Sequence, residues 1–242
     1  IKVPGMQLSK RLRAVADFVT PQGRLADVGT DHAYVPICLM EEKKISGAIA
    51  MDIVDGPLQR ARENIAAHHL ETQIETRKSD GLEALRPGEV DTIVIAGMGG
   101  LLICRILEQG REVAATVPEW VLEPQSDTDK VRAYLLEQGY HICDEDMVLE
   151  DGKYYPVLQV RAGREQTPYE PVELIYGRPL LRKRHPVLRS YLEKEICSYR
   201  KLLENLAQSS GERVRVREKE IRETLKLAEQ ALQTVNRPSV ND

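Results

Sequence analysis

The sequence predicts an α/β fold with a mostly parallel, doubly wound sheet, followed by a C-terminal antiparallel coiled-coil hairpin of two helices. Short apolar runs alternate with helical patterns from residue 25 to about 160, and this alternation is typical of βαβ units. The clearest run, 92–96, contains three adjacent β-branched apolar residues after Thr92, as buried strands often do. After residue 186, apolar residues recur at steps of three and four in two stretches, which predicts two helices that pack along each other.

The predicted strands are short and lie in the first two thirds of the chain. They occupy residues 25–28, 47–52, 74–77, 92–96 and 120–122. Two further extended runs, 141–150 and 154–160, meet at Asp151 and Gly152, a pair that is typical of a hairpin turn.

Helices are predicted before and between these strands. The clearest are 57–68, which has Pro57 in its first turn, and 127–138, which ends at Gly139. An earlier helix is predicted from an apolar stripe formed by Leu8, Leu12, Val15 and Val19. Alternation of these helices with the strands places the carboxyl ends of the parallel strands at one edge of the sheet, where ligands of such sheets bind.

The C-terminal third has a different pattern. Residues 163–186 contain four prolines, and we expect an irregular linker there. Two apolar stripes follow, separated by Ser209, Ser210 and Gly211. The first stripe is Leu188, Leu192, Ile196, Tyr199, Leu203 and Leu206, and the second is Ile221, Leu225, Ala228, Leu232 and Val235. The expected division is therefore a sheet domain at 1–163 and a linker with a helical hairpin at 164–242.

Composition predicts a globular cytoplasmic protein with no membrane partner. The chain has 242 residues, of which 42% are hydrophobic, and no apolar run reaches the ~18 residues that span a bilayer. The first residues lack the long apolar stretch of a signal peptide. The four cysteines are far apart and form no CxxC pair, so we expect buried, reduced thiols rather than disulfides or zinc ligands. We expect a monomer or a weak dimer.

Charge is distributed unevenly along the chain. Residues 1–160 contain 17 basic and 26 acidic residues, a net charge of −9, whereas residues 161–242 contain 17 and 12, a net charge of +5. A basic tail on an acidic body indicates that a polyanion, if one binds, is held partly by the tail. The alternative is that long surface helices are simply rich in charged residues.

The first predicted strand ends in a motif that could hold a ligand. Asp27, Gly29 and Asp31 follow one another at alternate positions, and Gly29 would let a ligand approach the backbone. The segment is not GxGxxG, because Asp31 and Tyr34 stand where that pattern has glycines, and Asp31 would repel a pyrophosphate. A cationic ligand fits better, and S-adenosylmethionine carries both a sulfonium and an ammonium group.

The ends of the next strands add two acidic residues and a glycine-rich turn. Asp52 follows Gly29 by 23 residues, as acidic residues that bind ribose hydroxyls do in nucleoside sites. Asp80 could accept a hydrogen bond from an adenine amino group, and Gly81 could turn the chain past the ring. Residues 97–100 contain three glycines, which permit close approach of a substrate or donor or simply form a tight turn.

Several of these segments together resemble the bacterial tRNA (adenine-22-N1)-methyltransferases. The motifs that carry the resemblance are Ser-Lys-Arg-Leu at 9–12, Asp-Val-Gly-Thr-Asp-His-Ala-Tyr at 27–34 and Ala-Gly-Met-Gly-Gly at 96–100. The segments 151–155 and 179–186 are also similar to that family, so the resemblance covers nearly the whole chain. One departure is Glu123 and Gln125, where we expect a Leu-Gln-Pro-Asn-like segment, and the role of this loop stays open.

The resemblance implies a Rossmann-like class I methyltransferase domain that transfers a methyl group from S-adenosylmethionine to N1 of an adenine in the D-arm of tRNA. The donor would contact Asp27, Gly29, Asp31, His32, Asp52, Asp80, Gly81, Gly97 and Met98. Adenine N1 has a lone pair, so the transfer requires no general base, and catalysis would depend on positioning. Tyr34, Gly97 and Met98 are expected nearest to the reacting atoms, with Tyr34 stacking on the flipped base unless it is a core tyrosine.

Basic residues at both ends of the chain are candidates for contact with tRNA phosphates. They are Lys10, Arg11, Arg13, Arg182, Lys183, Arg184 and Arg189. For the first three, a solvated helix face is an equal alternative. Two other functions stay open: a small-molecule methyltransferase with a dimerising hairpin, and a non-enzymatic nucleotide-binding module. No metal is expected, because no other ligand has a suitable spacing to His32.

Overall fold

The computed structural model describes residues 5–208 and 211–237. The chain divides into two compact units, residues 1–166 and residues 167–242. We call them the sheet unit and the helical unit. Each is described by itself below.

Seven strands form the sheet unit's single sheet, as far as the chain is described. They are β1 (Arg24–Val28), β2 (Gly47–Asp52), β3 (Ile74–Lys78), β4 (Thr92–Met98), β5 (Glu119–Pro124), β6 (Tyr140–Glu150) and β7 (Lys153–Ala162). The helices of this unit are α1 (Lys10–Phe18), α2 (Tyr34–Glu41), α3 (Asp55–Ala67), α4 (Gly100–Gln109), α5 (Arg111–Ala114) and α6 (Thr128–Glu137). The strands predicted from the apolar runs are all present, and the hairpin turn at Asp151 and Gly152 is confirmed.

The strand order is β3-β2-β1-β4-β5-β7-β6. Strands β1 to β5 pair in parallel, and β7 pairs antiparallel with both β5 and β6. The central strands are buried on both faces, which explains their continuous apolar sequences. Because β1 to β5 are parallel, the segments that follow them meet at one edge of the sheet. The predicted α/β fold with a mostly parallel sheet is thus confirmed.

The helical unit contains α7 (Pro171–Tyr176), α8 (Arg178–Arg182), α9 (Pro186–Leu206) and α10 (Glu212–Asn236). The expectation of an irregular linker at 163–186 was wrong, since α7 and α8 lie within it. Proline often ends a helix, but Pro171, Pro179 and Pro186 occupy the first turns of helices. Proline is tolerated in that position because the first-turn N–H groups have no partner within the helix.

Helices α9 and α10 run antiparallel and share a core with α7 and α8. Arg200 Nη2 donates to Glu229 Oε1 over 2.9 Å, and Arg189 Nη2 lies 3.4 Å from the Val235 carbonyl, so the chain directions oppose each other. The predicted stripes are buried at Leu188, Leu192, Ile196, Ile221, Ala228 and Val235. Of the predicted connection between the helices, Ser209 and Ser210 lie outside the described residues.

Candidate functional site

A cavity of about 280 Å³ lies at the carboxyl edge of the parallel strands. One wall is the connection from β1 to α2, which contributes Asp27, Gly29, Asp31, His32 and Tyr34. The other walls contain Arg11 from α1, Gly97 from β4 and Gln125 after β5. Most residues singled out at the first predicted strand therefore line one cavity. Arg11, for which the sequence left a tRNA contact and a solvated helix face as equal alternatives, lines the same cavity.

The connection from β1 to α2 has an unusual backbone. Gly29, Asp31 and Ala33 have φ angles of +74°, +43° and +56°, in the left-handed region that non-glycine residues rarely adopt. At Gly29 a side chain is excluded as well, because an added Cβ would lie 2.3 Å from the Cε atom of Met98. Gly29 thus lets the loop turn closely under Met98, and the strained neighbours indicate a loop shaped by its role in the site.

Asp27 is the buried carboxylate of the cavity. Its side chain accepts a hydrogen bond of 2.6 Å from the Thr30 hydroxyl. Burial raises the pKa of Asp27 to about 6, and the negative charge of Asp52 adds to the increase, whereas the bond from Thr30 opposes it. Such a group is expensive to ionise in the absence of a cation, so the cavity favours a positively charged ligand.

Asp31, His32 and Tyr34 lie on the solvent side of the same loop. Asp31 Oδ1 accepts a bond of 3.0 Å from Arg60, and the rings of His32 and Tyr34 stack with centroids 4.9 Å apart and an interplanar angle of 4°. Tyr34 is 37% exposed, which excludes the alternative of a core tyrosine. Tyr34 also lines the cavity.

The candidates on β2 and β3 lie at the same edge but do not line the cavity itself. The N–H of Ser79 donates to the carbonyl of Asp52 over 3.0 Å, so the two strand ends are joined. Asp52 Oδ1 accepts the N–H of Val54 over 2.8 Å, which shapes the turn into α3. Asp80 is exposed, and Gly81 has a φ of +55°. The apolar side chains of Ile53 and Val54 are more than half exposed beside them.

Gly97 forms a bulge near the end of β4. The pairing with β5 shifts between Ala96 and Met98, which leaves Gly97 outside the ladder with a φ of +78°. Its N–H instead donates to Glu123 Oε2 over 2.7 Å. The sequence predicted the glycine-rich strand end, and the structure shows that the bulge turns one of its amides toward a side chain of β5.

Glu123 is the functional candidate that sequence analysis left open. It is fully buried at 0% exposure, and its Oε2 also accepts a bond of 2.8 Å from Arg11 Nη1. Burial raises the pKa of Glu123, although Arg11 and the Gly97 amide lower it. The guanidinium of Arg11 lies 5.5 Å from the ring centroid of Tyr155. The sequence pointed to Glu123 only because the segment 122–125 departs from the pattern expected of the family it resembles. Its partner Arg11 is 112 residues away, so no local pattern could connect the two residues.

The other predicted phosphate-binding cations are spread over both units. Lys10 is exposed at the start of α1, whereas Arg13 pairs with Glu42 over 2.8 Å and contacts the Cys38 thiol. In the helical unit, the basic residues cluster in sequence at the connection from α8 to α9. Arg182 ends α8, Lys183 and Arg184 form the turn, and Arg189 is on the first turn of α9.

The described residues also bear on the expectations for cysteines, metal sites and membrane-spanning helices. None of the four cysteines is in a disulfide, but Cys197 is exposed, contrary to the expectation that all would be buried. Cys197 directly follows the buried Ile196 on α9, so its side chain lies on a different face of the helix from the apolar stripe. No group of three or more His, Cys, Asp or Glu side chains suited to a metal ion occurs in 5–208 and 211–237. Among the same residues, no helix has the length and apolar character to cross a membrane.

Comparison with known proteins finds a family whose model matches most of the chain. The family model of the tRNA (adenine(22)-N(1))-methyltransferases matches residues 25–230, which cover most of each unit. The tRNA (adenine(22)-N(1))-methyltransferase of Bacillus subtilis (strain 168) is 33% identical over 232 residues, which cover 94% of this chain and 98% of that protein.

Solved structures of similar proteins share the fold over nearly their whole length. A candidate tRNA (m1A22) methyltransferase of Streptococcus pneumoniae, in complex with S-adenosyl-L-methionine, is 35% identical with a TM-score of 0.84, covering 93% of this chain and 100% of that one. The TrmK protein of M. capricolum, in complex with S-adenosyl-homocysteine, is 27% identical with a TM-score of 0.82, covering 95% and 99%. With its Rossmann-like sheet and its cavity at the carboxyl edge, the chain belongs to the tRNA (adenine(22)-N(1))-methyltransferase family.

Proposed function

We propose that this protein is a cytoplasmic S-adenosylmethionine-dependent methyltransferase that methylates N1 of the adenine at position 22, in the D-arm of tRNA. The observation that carries the proposal is the acid-lined cavity at the carboxyl edge of the sheet, in a chain of this family. The relatives in complex with S-adenosyl-L-methionine and S-adenosyl-homocysteine support the choice of donor.

The residues at the cavity fit the chemistry of this donor. Asp27 and Asp31 provide negative charge for its sulfonium and ammonium groups, and the Gly29 loop lets its chain lie close to the backbone. Asp52, at the end of β2, is proposed to accept hydrogen bonds from the ribose hydroxyls. The exposed side chains of Ile53 and Val54 offer an apolar surface for the adenine ring.

The remaining donor contacts are assigned to the ends of β3 and β4. Asp80 accepts from the adenine amino group, while Gly81 turns the chain past the ring. Met98 lies against Gly29, Gly97 lines the same cavity, and His32 stacks on Tyr34 within that lining. These side chains position the donor and do not transfer protons.

The donor, when bound, supplies an electrophilic methyl group. The target N1 is already a nucleophile, so no residue of this chain has to remove a proton before transfer. The chain's contribution is to hold the base in line with the methyl group and to exclude water. The stack of Tyr34 on His32 and the position of Tyr34 in the lining of the same cavity as Gly97 support a role for its ring in stacking on the flipped base. Gly97 and Met98 are proposed to lie nearest to the reacting atoms.

We propose that the helical unit binds the tRNA. We infer that α9 and α10 form an antiparallel coiled coil, and that 1–163 and 164–242 act as catalytic and tRNA-binding domains. Residues 167–242 carry 15 basic and 11 acidic residues, a net charge of +4, which favours contact with phosphates. The proposed contacts in this unit are Arg182, Lys183, Arg184 and Arg189, and those in the sheet unit are Lys10, Arg11 and Arg13.

The test is incubation of the purified protein with methyl-labelled S-adenosylmethionine and an unmodified tRNA transcript, followed by nucleoside analysis. Label in N1-methyladenosine is expected, and none is expected from a matched transcript with guanine at position 22. Equal labelling of both transcripts would contradict the proposed position. Transfer to small molecules without RNA would contradict the proposed substrate.

A further inference from the structure

Arg11 is anchored in the wall of the cavity rather than on a solvated helix face. Its Nη1 donates to Glu123 Oε2 over 2.8 Å, and its guanidinium lies over the Tyr155 ring. Because Glu123 is fully buried, the ion pair reaches from the cavity into the interior of the sheet unit. An arginine that only contacted tRNA phosphates from the surface would need neither Glu123 nor Tyr155 to hold it.

The geometry of the pair is not the one that maximises stability. An arginine and a carboxylate bind most strongly through two parallel hydrogen bonds. Here Glu123 Oε2 accepts from both Arg11 and the Gly97 amide, while Oε1 has no hydrogen-bond partner among the described residues. A buried carboxylate held by one oxygen costs free energy. Glu123 and Tyr155 thus hold the guanidinium from two sides in the wall of the cavity, which Arg11 lines, and the bond to Glu123 uses only Nη1.

The charges of the cavity match an α-amino acid group. Arg11 supplies a cation from α1, whereas Asp27 and Asp31 supply carboxylates from the connection between β1 and α2. An α-amino acid presents a carboxylate and an ammonium on one carbon atom, so it can use both signs of charge at once. The methionine part of the proposed donor is such a group.

We propose that Arg11 binds the α-carboxylate of the methyl donor, and that Glu123 is the positioning residue that holds both Arg11 and the Gly97 amide in place. This assignment rests on the proposed function, and it moves Arg11 from the tRNA interface to the donor site. Arg11 acts by direct contact, whereas Glu123 acts only through Arg11 and the bulge of β4.

The central variant is the double substitution Arg11→Gln with Glu123→Gln. Removing Arg11 alone would leave a buried carboxylate without its counter-ion and could unfold the protein. Two glutamine amides can hydrogen-bond to each other, and the amide at 123 can still accept the Gly97 N–H. Lys43→Gln is the matched control, because it removes one exposed cation after α2, outside the cavity.

Affinity is measured by calorimetric titration with S-adenosylmethionine and with its decarboxylated analogue, which lacks only the carboxylate. In the double variant the affinity for S-adenosylmethionine should fall at least about tenfold, equivalent to about 1.4 kcal/mol, while that for the analogue changes by less than about twofold. Lys43→Gln should bind both as the wild type does. Thermal unfolding of each variant confirms that the fold is retained.

Glu123→Gln alone tests the positioning role. Without the charge that anchors Arg11, KM for the donor should rise while kcat changes little, as expected when binding rather than chemistry is affected. A fall in kcat with unchanged KM would overturn this role.

Other outcomes of the titration discriminate between the two proposals. Equal losses for donor and analogue in the double variant would show that the pair only shapes the cavity, and unchanged affinity for both would place Arg11 outside the donor site. Either result overturns the assignment of Arg11. A wild-type protein that binds neither compound would contradict the proposed function itself.

Discussion

The buried carboxylate of Asp27 lowers the free energy of unfolding when it is ionised. Burial raises its pKa to about 6 from the ordinary value of 3.8, so the folded protein holds this proton more tightly than the unfolded chain does. Ionisation of Asp27 therefore destabilises the fold. The penalty is absent below pH 3.8, grows as the pH rises, and is complete above about pH 6.

Replacement of Asp27 by asparagine should accordingly stabilise the protein at neutral pH. The gain in free energy of unfolding is up to about 3 kcal/mol, since each pKa unit corresponds to about 1.4 kcal/mol. Below pH 3.8 the gain should vanish, because the wild-type group is then largely protonated in both states. Urea unfolding across this pH range measures the effect, and a gain that does not depend on pH would contradict the explanation. The same variant should bind the donor more weakly.

Asp52 should contribute to donor affinity through its charge. Asp52→Ala should cost about 1.5–3 kcal/mol of binding free energy, the value of a charge-assisted hydrogen bond. Asp52→Asn preserves the acceptor for the Val54 N–H and so separates the loss of charge from any change in the turn. Titration with S-adenosylmethionine is the measurement, with the exposed Asp55→Ala as control. An unchanged Kd in folded Asp52→Ala would remove this residue from the site.

Tyr34 should affect turnover on tRNA more than donor binding. Loss of one stacking contact in Tyr34→Ala costs about 1–3 kcal/mol, so kcat/KM for tRNA should fall by roughly one to two orders of magnitude. Tyr34→Phe retains the ring and its stack on His32, and should keep most activity. Methylation rates and donor titration on both variants test this. Full activity of Tyr34→Ala would exclude stacking, and loss in Tyr34→Phe would assign the role to the hydroxyl.

Glycine turns at and away from the cavity can be compared to show which loops are shaped for the donor. Gly29, Gly97 and Gly152 have nearly equal φ angles of +74°, +78° and +75°. Alanine at each should cost roughly 1–2 kcal/mol of stability through backbone strain. Only Gly29→Ala also displaces a neighbour, because its Cβ would meet Met98, whereas Gly152→Ala has nothing within 4 Å.

Donor affinity should therefore separate the three alanine variants. It should fall most in Gly29→Ala, less in Gly97→Ala, whose bulge presents its N–H to Glu123, and not in Gly152→Ala. Unfolding and donor titration of the three proteins provide the comparison. Equal donor affinity in all three would mean that neither loop is shaped for the donor.

The elements also show where the sequence was informative. Strand β4 was clear because its β-branched run is buried on both faces, and the turn at Asp151 and Gly152 was clear because it is local. The helices α7 and α8 were missed because proline marks the start of a helix as readily as its end. The Arg11–Glu123 pair was missed because α1 and β5 meet only in the folded sheet. Contacts between distant segments are set by topology, which no local pattern contains.

At the scale of the whole molecule, donor binding and tRNA binding should be separable. A chain ending at Gln166 keeps all seven strands and has 19 basic and 27 acidic residues, a net charge of −8. It should fold and bind S-adenosylmethionine, yet fail to shift or methylate tRNA at about 0.15 M salt, since its net charge repels phosphates. The full-length protein should bind tRNA with an affinity that decreases steeply as salt increases.

Gel shifts measure tRNA binding, titration measures donor binding and a methylation assay measures activity, each for the shortened chain and for the full-length protein. Methylation of tRNA by the shortened chain at the full-length rate would show that the helical unit is not needed to hold the substrate. Failure of the shortened chain to bind the donor would mean that the sheet unit does not form the donor site by itself.

The position of β7 in the sheet also determines the order in which the protein can fold during synthesis. Strand β7 is the last of the seven to leave the ribosome, yet it lies between β5 and β6. Until residue 162 has emerged, the outer edge of β5 has no partner strand, and β6 has nothing to pair with. An unpaired apolar strand edge invites association with other chains. Misassembly during synthesis is thus most favoured after β6 has emerged and before β7 has. The tight turn at Asp151 and Gly152 shortens this interval, because β7 follows β6 directly in the chain.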